Sequence, residues 1–128
     1  MKREEYNRLS GEILDSAITV HIEMGPGLLE SIYEYCLVAE LRSRGIKAKG
    51  QVYLPLFYKG EKLGKDFRMD VLVENEIIIE IKVAKIMHPV YEAQLISYLS
   101  LADKRLGFLI NFHVPLLKDG FKRFVNNF

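Results

Sequence analysis

The stretch from Phe67 to Val83 constrains the fold more than any other part of the chain. It reads FRMDVLVENEIIIEIKV, in which two runs rich in Val, Ile and Leu flank the polar letters ENE. Apolar runs on either side of a short polar segment predict a β-hairpin. Because strand side chains alternate between two faces, the pattern also selects a register, in which Val73 lies opposite Ile77 and Asp70 opposite Glu80.

In this register one face of the hairpin is wholly apolar and the other carries charges. The apolar face consists of Phe67, Met69, Val71, Val73, Ile77, Ile79, Ile81 and Val83. The second face consists of Arg68, Asp70, Leu72, Ile78, Glu80 and Lys82. Since the second strand is almost continuously apolar, we expect it to be a central strand that is covered on both sides. Charged side chains in the middle of such a strand therefore require an explanation.

Two carboxylates at neighbouring positions of one hairpin repel each other. At about 4 Å and an effective dielectric constant of ~20, a like-charged pair costs roughly 4 kcal/mol. Lys82, on the same face as Glu80, offsets part of this repulsion. A divalent cation would offset it further, because hard ions such as Mg²⁺ prefer oxygen ligands. A solvated face with ordinary surface charges is the alternative, and the hairpin alone leaves both interpretations open.

Composition narrows the class of protein. The chain has 128 residues, of which 49% are hydrophobic and 27% charged, which predicts one globular domain over residues 1–128. The net charge of +1 means that any nucleic-acid binding depends on a local patch. The single cysteine, Cys36, excludes an internal disulfide and suits the cytoplasm. Because no apolar stretch reaches the length of a membrane span, we expect no membrane contact.

The other periodicities predict elements on both sides of the hairpin: N-terminal helices within 10–45, a sheet core over 46–83, a helix over 88–102 and C-terminal strands within 106–125. Ser10 or Asn7 is the expected N-cap of the first helix. Pro55 indicates an edge position or a bulge in its strand. His21 is interpreted as a satisfied core or interface histidine, with a role in a site as the alternative. The order α-α-β-β-β-α-β-β predicts an α/β fold on a mixed sheet.

Lysines give the segment before the central hairpin a local positive character. They are Lys47, Lys49, Lys59, Lys62 and Lys65. A solvated face is the simpler interpretation of these residues, and a rim that contacts phosphates is the alternative.

Several strings resemble a known family. Gly27-x-x-Glu30-x-x-Tyr33 resembles the signature of the GxxExxY proteins, a family of small bacterial and archaeal domains. The strings GPGLLESIYEYCLVAELRSRGI, YEAQLISYL and LINFHVPLLKDGFKR, with the central hairpin between the first and second, follow that family in order. That family resembles the PD-(D/E)XK nuclease superfamily, whose fold is a central mixed sheet flanked by helices. The resemblance therefore implies a restriction-endonuclease-like core.

The resemblance also implies catalytic positions. Asp70 takes the place of the motif's aspartate, and Glu80 and Lys82 take its E-x-K pair. Met69 stands where the motif name has proline, at a position that is variable in the superfamily. Glu30 matches an acidic residue that the superfamily often supplies from its first core helix.

The implied activity is hydrolysis of phosphodiester bonds in DNA or RNA with Mg²⁺ or Mn²⁺. Asp70, Glu80 and the backbone carbonyl of Ile81 would hold one ion, and Glu30 would complete that site or help to hold a second ion. Such an ion lowers the pKa of a water molecule and polarises the phosphate. Lys82 would orient this water or stabilise the developing negative charge.

Substrate contacts are expected from the helix that follows the hairpin. Gln94 and Tyr98 match a Q-x-x-x-Y element of RecB-like members and share one side of the helix. Gln94 would position the substrate or a metal ligand, and Tyr98 would stack on a base or bond a phosphate. Arg68, on the charged face of the hairpin, is a further predicted substrate contact.

Two other functions stay open at this level. One is a non-catalytic module that binds nucleic acid or a protein partner on a retained nuclease fold. The near-neutral charge favours it, whereas the complete set of Glu30, Asp70, Glu80 and Lys82 argues against it. The other is an enzyme that acts on a nucleotide or another phosphoester, since fold alone does not fix function. A homodimer or a larger protein partner would extend the surface that so small a domain offers to nucleic acid.

Overall fold

The computed structural model describes every residue from Met1 to Phe128. Its helices are α1 (Arg3–Met24), α2 (Glu30–Ser43) and α3 (Pro89–Leu101). Its strands are β1 (Ala48–Tyr58), β2 (Glu61–Val73), β3 (Ile77–Lys82), β4 (Leu106–Asn111) and β5 (Phe121–Val125). The predicted order of elements is confirmed, with a 3-10 turn at Leu117–Gly120 added before β5.

The strands form one mixed sheet in the order β1-β2-β3-β4-β5. β3 and β4 are parallel and are connected through α3, whereas the other neighbours are antiparallel. Val73 pairs with Ile77, so the predicted register of the central hairpin is confirmed. β1 is an edge strand whose pairing shifts between Pro55 and Phe57, and the edge position and the bulge therefore both occur.

Helices cover both faces of the sheet. α1 and α2 pack on the face that contains Ile77, Ile79 and Ile81, where the larger hydrophobic core lies. α3 packs on the opposite face, where Leu95 and Leu99 contact a smaller core together with Leu72 and Ile78. β3 is thus a central strand buried on both sides, as its apolar sequence predicts. None of the helices combines the length and the apolar character that a membrane span needs.

The face predicted for the first half of the hairpin is wrong. Phe67 and Met69 pack in the smaller core beside α3, and not on the face of Val71 and Val73. The pairing of β2 with β3 ends at Val71 and Ile79, so residues before Val71 are held by β1 alone. Phe67 and Met69 still alternate with exposed Arg68, but the alternation breaks between Met69 and Val71, where the pairing with β1 omits Gln51, whose φ is +56°.

The start predicted for the first helix is also wrong. α1 begins at Arg3, and its N-cap is Lys2. Ser10 lies inside the helix, where its hydroxyl donates to the carbonyl of Tyr6 at 2.7 Å. Tyr6 and Leu9 are buried on the same stripe as Ile13, and this apolar contact extends the helix beyond the predicted cap.

Contacts between the helices fix the position of α2. The guanidinium of Arg44 contacts Glu12, Asp15 and Glu40, and these carboxylates raise its pKa. The Tyr33 ring stacks on Phe112, with the ring centres 4.5 Å apart. Because α2 is held at both ends, the side chains on its sheet-facing side have defined positions.

His21 confirms the interpretation of a satisfied core histidine. Its side chain is 9% exposed, and Nε2 lies 2.9 Å from the carbonyl oxygen of Val114. This contact ties the end of α1 to the loop after β4.

Candidate active site

Asp70 and Glu80 lie just past the end of the β2–β3 ladder, where their carboxylates accept hydrogen bonds from backbone amides across the two strands. The backbone amide of Asp70 donates to Glu80 Oε2, and the amide of Ile81 donates to Asp70 Oδ2, each at 2.9 Å. Each carboxylate therefore binds a backbone donor of the neighbouring strand. The two residues are 8% and 7% exposed, so the pair is buried where the strands separate.

The second oxygen of each carboxylate accepts no hydrogen bond from a backbone amide. Glu80 Oε1 forms no hydrogen bond, and Asp70 Oδ1 lies 3.6 Å from the guanidinium of Arg68. Burial raises the pKa of Glu80 to about 8, and the charge of Asp70 contributes to the increase, while Lys82 and Arg68 act in the opposite direction. Adjacent carboxylates that each have one oxygen without a hydrogen bond fit a hard divalent cation, which prefers oxygen ligands.

Protein side chains alone do not form a full metal shell here. No three His, Cys, Asp or Glu side chains are gathered closely enough to hold an ion. Mg²⁺ usually retains several waters and is bound through one or two carboxylates together with phosphate oxygens. The Asp70–Glu80 pair therefore fits a cation whose shell is completed by water, backbone carbonyl or substrate oxygens.

Lys82 follows Glu80 on the side of β3 that faces α3. Its Nζ lies 4.7 Å from the centre of the Tyr91 ring, so an aromatic face of α3 supports the ammonium group. The end of the strand is fixed by Asn111, which is buried and pairs with Lys82 in the parallel ladder. The Asn111 amide bonds the backbone amide and carbonyl of Ala84 at 3.1 and 2.8 Å.

Tyr98 lies beside the carboxylate pair, whereas Gln94 does not contact it. The Tyr98 ring stacks on Phe67, with the centres 4.4 Å apart and the planes 7° from parallel. Burial raises the pKa of Tyr98, and the charges of Glu80 and Asp70 raise it further. Gln94, one turn earlier on α3, is exposed, and its side chain forms no hydrogen bond.

α2 brings Glu34 closer to this site than Glu30. Glu30 is the exposed first residue of the helix and forms no hydrogen bond or ion pair. Glu34 is half-buried and accepts a hydrogen bond from the side-chain amide of Gln51. Burial raises the pKa of Glu34; the Gln51 hydrogen bond lowers it and the charge of Asp70 raises it again. Sequence reasoning did not single out Glu34, although its i, i+4 spacing from Glu30 places both on one helix face.

Gly50 has no side chain, and this leaves room for the carboxylate of Glu34 to reach β1. A Cβ atom on Gly50 would lie 3.2 Å from Glu34 Oε1 and 3.7 Å from the carbonyl oxygen of Asp70. The next residue, Gln51, has a φ of +56°, and the pairing of β1 with β2 omits it. This local distortion accompanies the contact between Gln51 and Glu34. An open cavity of about 500 Å³ between α2 and β1 is lined by Glu34, Gly50 and Gln51.

Comparison with known families decides the classification. The model of the PD-(D/E)XK nuclease superfamily matches residues 7–124. The chain belongs to the PD-(D/E)XK nuclease superfamily. Its mixed sheet with flanking helices agrees with the fold of that superfamily, so the predicted fold class is confirmed. Nucleases of this superfamily typically use divalent metal ions.

Comparison with solved structures supports the fold. The structure titled "Crystal structure of SSO0001" superposes with a TM-score of 0.51 and 22% sequence identity. The match covers 74% of this PD-(D/E)XK chain and 48% of the SSO0001 chain, so the chain spans about half the length of that protein. No curated protein matches the sequence.

Proposed function

We propose that this protein is a metal-dependent nuclease that hydrolyses phosphodiester bonds in DNA or RNA. The observation that carries the proposal is the buried Asp70–Glu80 pair, with Lys82 next to it on β3. Two buried carboxylates of like charge repel each other, and a packed core gains nothing from them. A site that holds a cation gives this pair a chemical role, in agreement with the superfamily of the chain.

In this proposal Asp70, Glu80 and the backbone carbonyl of Ile81 would hold Mg²⁺ or Mn²⁺. When bound, the cation supplies Lewis-acid stabilisation of the phosphate charge and a more acidic water molecule. The resemblance of Glu30 to the acidic residue of the first core helix assigns it to the same site or to a second ion. Glu34 is our further candidate for that task, because its carboxylate lies over Gly50 next to the Asp70 backbone.

The side chains around the pair have separate tasks. Lys82 donates a hydrogen bond to the attacking water or to the phosphate oxygen on which negative charge develops. Tyr91 limits the positions that the Lys82 ammonium group can take. Arg68 and Tyr98 contact the substrate on either side of the carboxylates. Gln94, exposed one turn before Tyr98, extends the substrate contact along α3.

Two features of the sequence support a narrower family and a cellular compartment for the protein. Gly27, Glu30 and Tyr33 have the spacing of the GxxExxY proteins, and we assign the chain to that group on this resemblance. Cys36 is a free thiol, which agrees with action in the reducing cytoplasm.

A calorimetric titration with Mn²⁺ tests the proposal directly. The native protein is compared with a doubly neutralised Asp70→Asn, Glu80→Gln variant, and saturable binding is expected for the native protein alone. A variant with Glu61→Gln and Asp66→Asn is the matched control, since it removes two exposed carboxylates of the same strand, β2. It should bind as the native protein does.

Cleavage assays then test the chemistry. Lys82→Ala should abolish Mn²⁺-dependent cleavage of oligonucleotides and leave Mn²⁺ binding in place. If the native protein bound no Mn²⁺, even with an oligonucleotide present to complete the site, the alternative of a non-catalytic module on a nuclease fold would be favoured. Turnover of a mononucleotide or another phosphoester, without cleavage of oligonucleotides, would support the other alternative.

A further inference from the structure

β1 and β2 extend beyond the rest of the sheet as a two-stranded ribbon. β2 pairs with β3 only as far as Val71, whereas its pairing with β1 continues to Glu61 and Tyr58. Residues 52–68 therefore form a projecting hairpin, here called the β1–β2 arm, with Lys59 and Gly60 at its tip.

One face of the arm is bound to the protein and the other is free. Val52, Leu54 and Leu56 are half-buried and pack against the smaller core beside α3. Tyr53 and Phe57 alternate with them along β1 and are 63% and 60% exposed. Because side chains on a strand alternate, these two rings lie on the same free face, roughly 13 Å apart along the strand.

Cations lie opposite these aromatic residues. Tyr53 pairs with Arg68 and Phe57 pairs with Lys62 across the two strands, so the free face presents two pairs of a ring and a positive charge. Residues 52–68 contain four basic and two acidic side chains, a net charge of +2, whereas the whole chain has +1. The positive charge of the protein is therefore concentrated on the arm.

The free face leads to the candidate active site. Arg68, at the base of the arm, lies 3.6 Å from Asp70 Oδ1. A ligand that occupied Phe57, Tyr53 and Arg68 in turn would reach the carboxylates at its end. Aromatic rings that alternate with cations are the pattern that binds single strands, because rings stack on unpaired bases and cations contact phosphates. In a duplex the base faces are already stacked on each other and are closed to these rings.

We propose that the β1–β2 arm binds single-stranded nucleic acid and directs it to the Asp70–Glu80 pair. The proposal rests on the proposed nuclease function for the purpose of the arm, but its binding step requires neither metal nor cleavage. The two can therefore be tested separately.

The test is binding in EDTA, measured by fluorescence anisotropy. The probes are labelled oligo(dT), labelled oligo(rU) and a labelled DNA duplex of the same length. We expect native protein to prefer a single strand over the duplex. Tyr53→Ala with Phe57→Ala should weaken single-strand binding by about tenfold or more, since stacking on two bases is lost. Tyr53→Phe with Phe57→Tyr keeps both rings and should bind as the native protein does.

Two further variants separate the arm from general effects. Tyr35→Ala removes a tyrosine on α2 that is 77% exposed, and it should leave binding unchanged. Lys62→Gln should lower the slope of log affinity against log salt concentration by about 0.7, the change expected when one phosphate contact of a single strand is lost. Thermal unfolding of every variant should match the native protein, because the substituted side chains are exposed.

Three results that need no cleavage assay would overturn the proposal. The first is that the native protein prefers the duplex. The second is that the double variant, Tyr53→Ala with Phe57→Ala, binds as well as the native protein. The third is that this double variant has a lower mass in sedimentation while its affinity for oligonucleotides is intact. The last result would make the arm a contact between copies of this chain. Single-strand binding through the arm without any Mn²⁺-dependent cleavage would support the proposed role of the arm and contradict the proposed nuclease function. Cleavage that is unaffected by the arm variants would support the nuclease function and contradict the role of the arm.

Discussion

Lys82 on β3 lies with its ammonium nitrogen 4.7 Å from the centre of the Tyr91 ring on α3. The contact joins the strand that carries Glu80 to the helix that crosses over to β4. A lysine side chain is flexible, so its ammonium group can take many positions. The face of the Tyr91 ring favours those in which Nζ stays beside α3. The proposed role of Lys82 in catalysis therefore depends on a residue that takes no part in the chemistry.

Replacing Tyr91 tests this dependence. Tyr91→Leu should lower the rate of Mn²⁺-dependent cleavage by about tenfold, because a cation–π contact at a partly desolvated site contributes ~1–2 kcal/mol. Tyr91→Phe keeps the ring and should retain nearly the native rate. Single-turnover cleavage at saturating substrate measures the effect. Equal losses for Leu and Phe would show that the hydroxyl matters rather than the ring.

The raised pKa of Glu80 makes stability depend on pH. In the folded protein this pKa is about 8, against an ordinary value of 4.5, so the folded state holds a proton that the unfolded chain releases. The contribution of Glu80 to the free energy of unfolding should therefore be fully present below roughly pH 4.5 and should be lost as the pH rises through 8. Glu80→Gln removes this titration and should be more stable than the native protein at the upper end, by an amount on the order of a few kcal/mol.

Urea unfolding in EDTA at several pH values in this interval measures that difference. Glu61→Gln, an exposed change on β2, should follow the native pH profile. A Glu80→Gln profile parallel to the native one would contradict the assignment of the proton to Glu80. Addition of Mn²⁺ should restore stability to the native protein at high pH and have a smaller effect on Glu80→Gln, because the variant lacks one of the proposed ligands.

A methyl group on Gly50 should displace Glu34. The added Cβ would lie 3.2 Å from Glu34 Oε1, so the carboxylate has to shift by a few tenths of an ångström from its present position. We expect Gly50→Ala and Glu34→Gln each to weaken Mn²⁺ binding in calorimetry, with little change in the free energy of unfolding. The double variant should be no weaker than either single variant, because both changes remove the same interaction. Additive losses would mean that Gly50 acts through another group.

Gly107 is a position of close approach between β4 and α3. A Cβ there would lie 3.0 Å from Leu95 Cδ1 and 3.2 Å from the carbonyl oxygen of Ile78. Gly107→Ala should lower the free energy of unfolding by roughly 1–3 kcal/mol, as overpacking does in cores. Gly64→Ala is the control, since no atom lies within 4 Å of a Cβ at that position. Urea denaturation of the two variants would show whether α3 is as tightly seated as these distances indicate.

Most of the fold follows from local patterns in the sequence. The register of the central hairpin was predictable because only one alignment separates Val71, Val73, Ile77 and Ile79 from the charged positions. The placement of β3 in the centre of the sheet followed from its continuous apolar run. The faces of Phe67 and Met69 were not predictable, because the alternation breaks between Met69 and Val71, beside the distorted backbone of Gln51, and this distortion has no periodic signal.

The candidate site divides in the same way. The proximity of Asp70 and Glu80 could be predicted from hairpin pairing, since both lie near one turn. The contact of Glu34 with the site depends on how α2 packs over Gly50 and on the positive φ of Gln51. Neither feature produces a periodic pattern in the sequence, so the contact could not be predicted. Lys82 was predicted, but its partner Tyr91 lies on another element and depends on the crossover through α3.

The end of the β2–β3 ladder at Val71 also divides the molecule into parts of different local stability. Amide protons of β3 and β4 lie in the middle of the sheet under apolar cover, so their exchange with solvent should require global unfolding. Amides of the arm are hydrogen-bonded only within one pair of strands, and they can open without breaking any bond of β3. Asp70 therefore lies on the boundary between a slowly exchanging body and a more rapidly exchanging ribbon, where the arm can open while the Asp70–Glu80 pair stays in place.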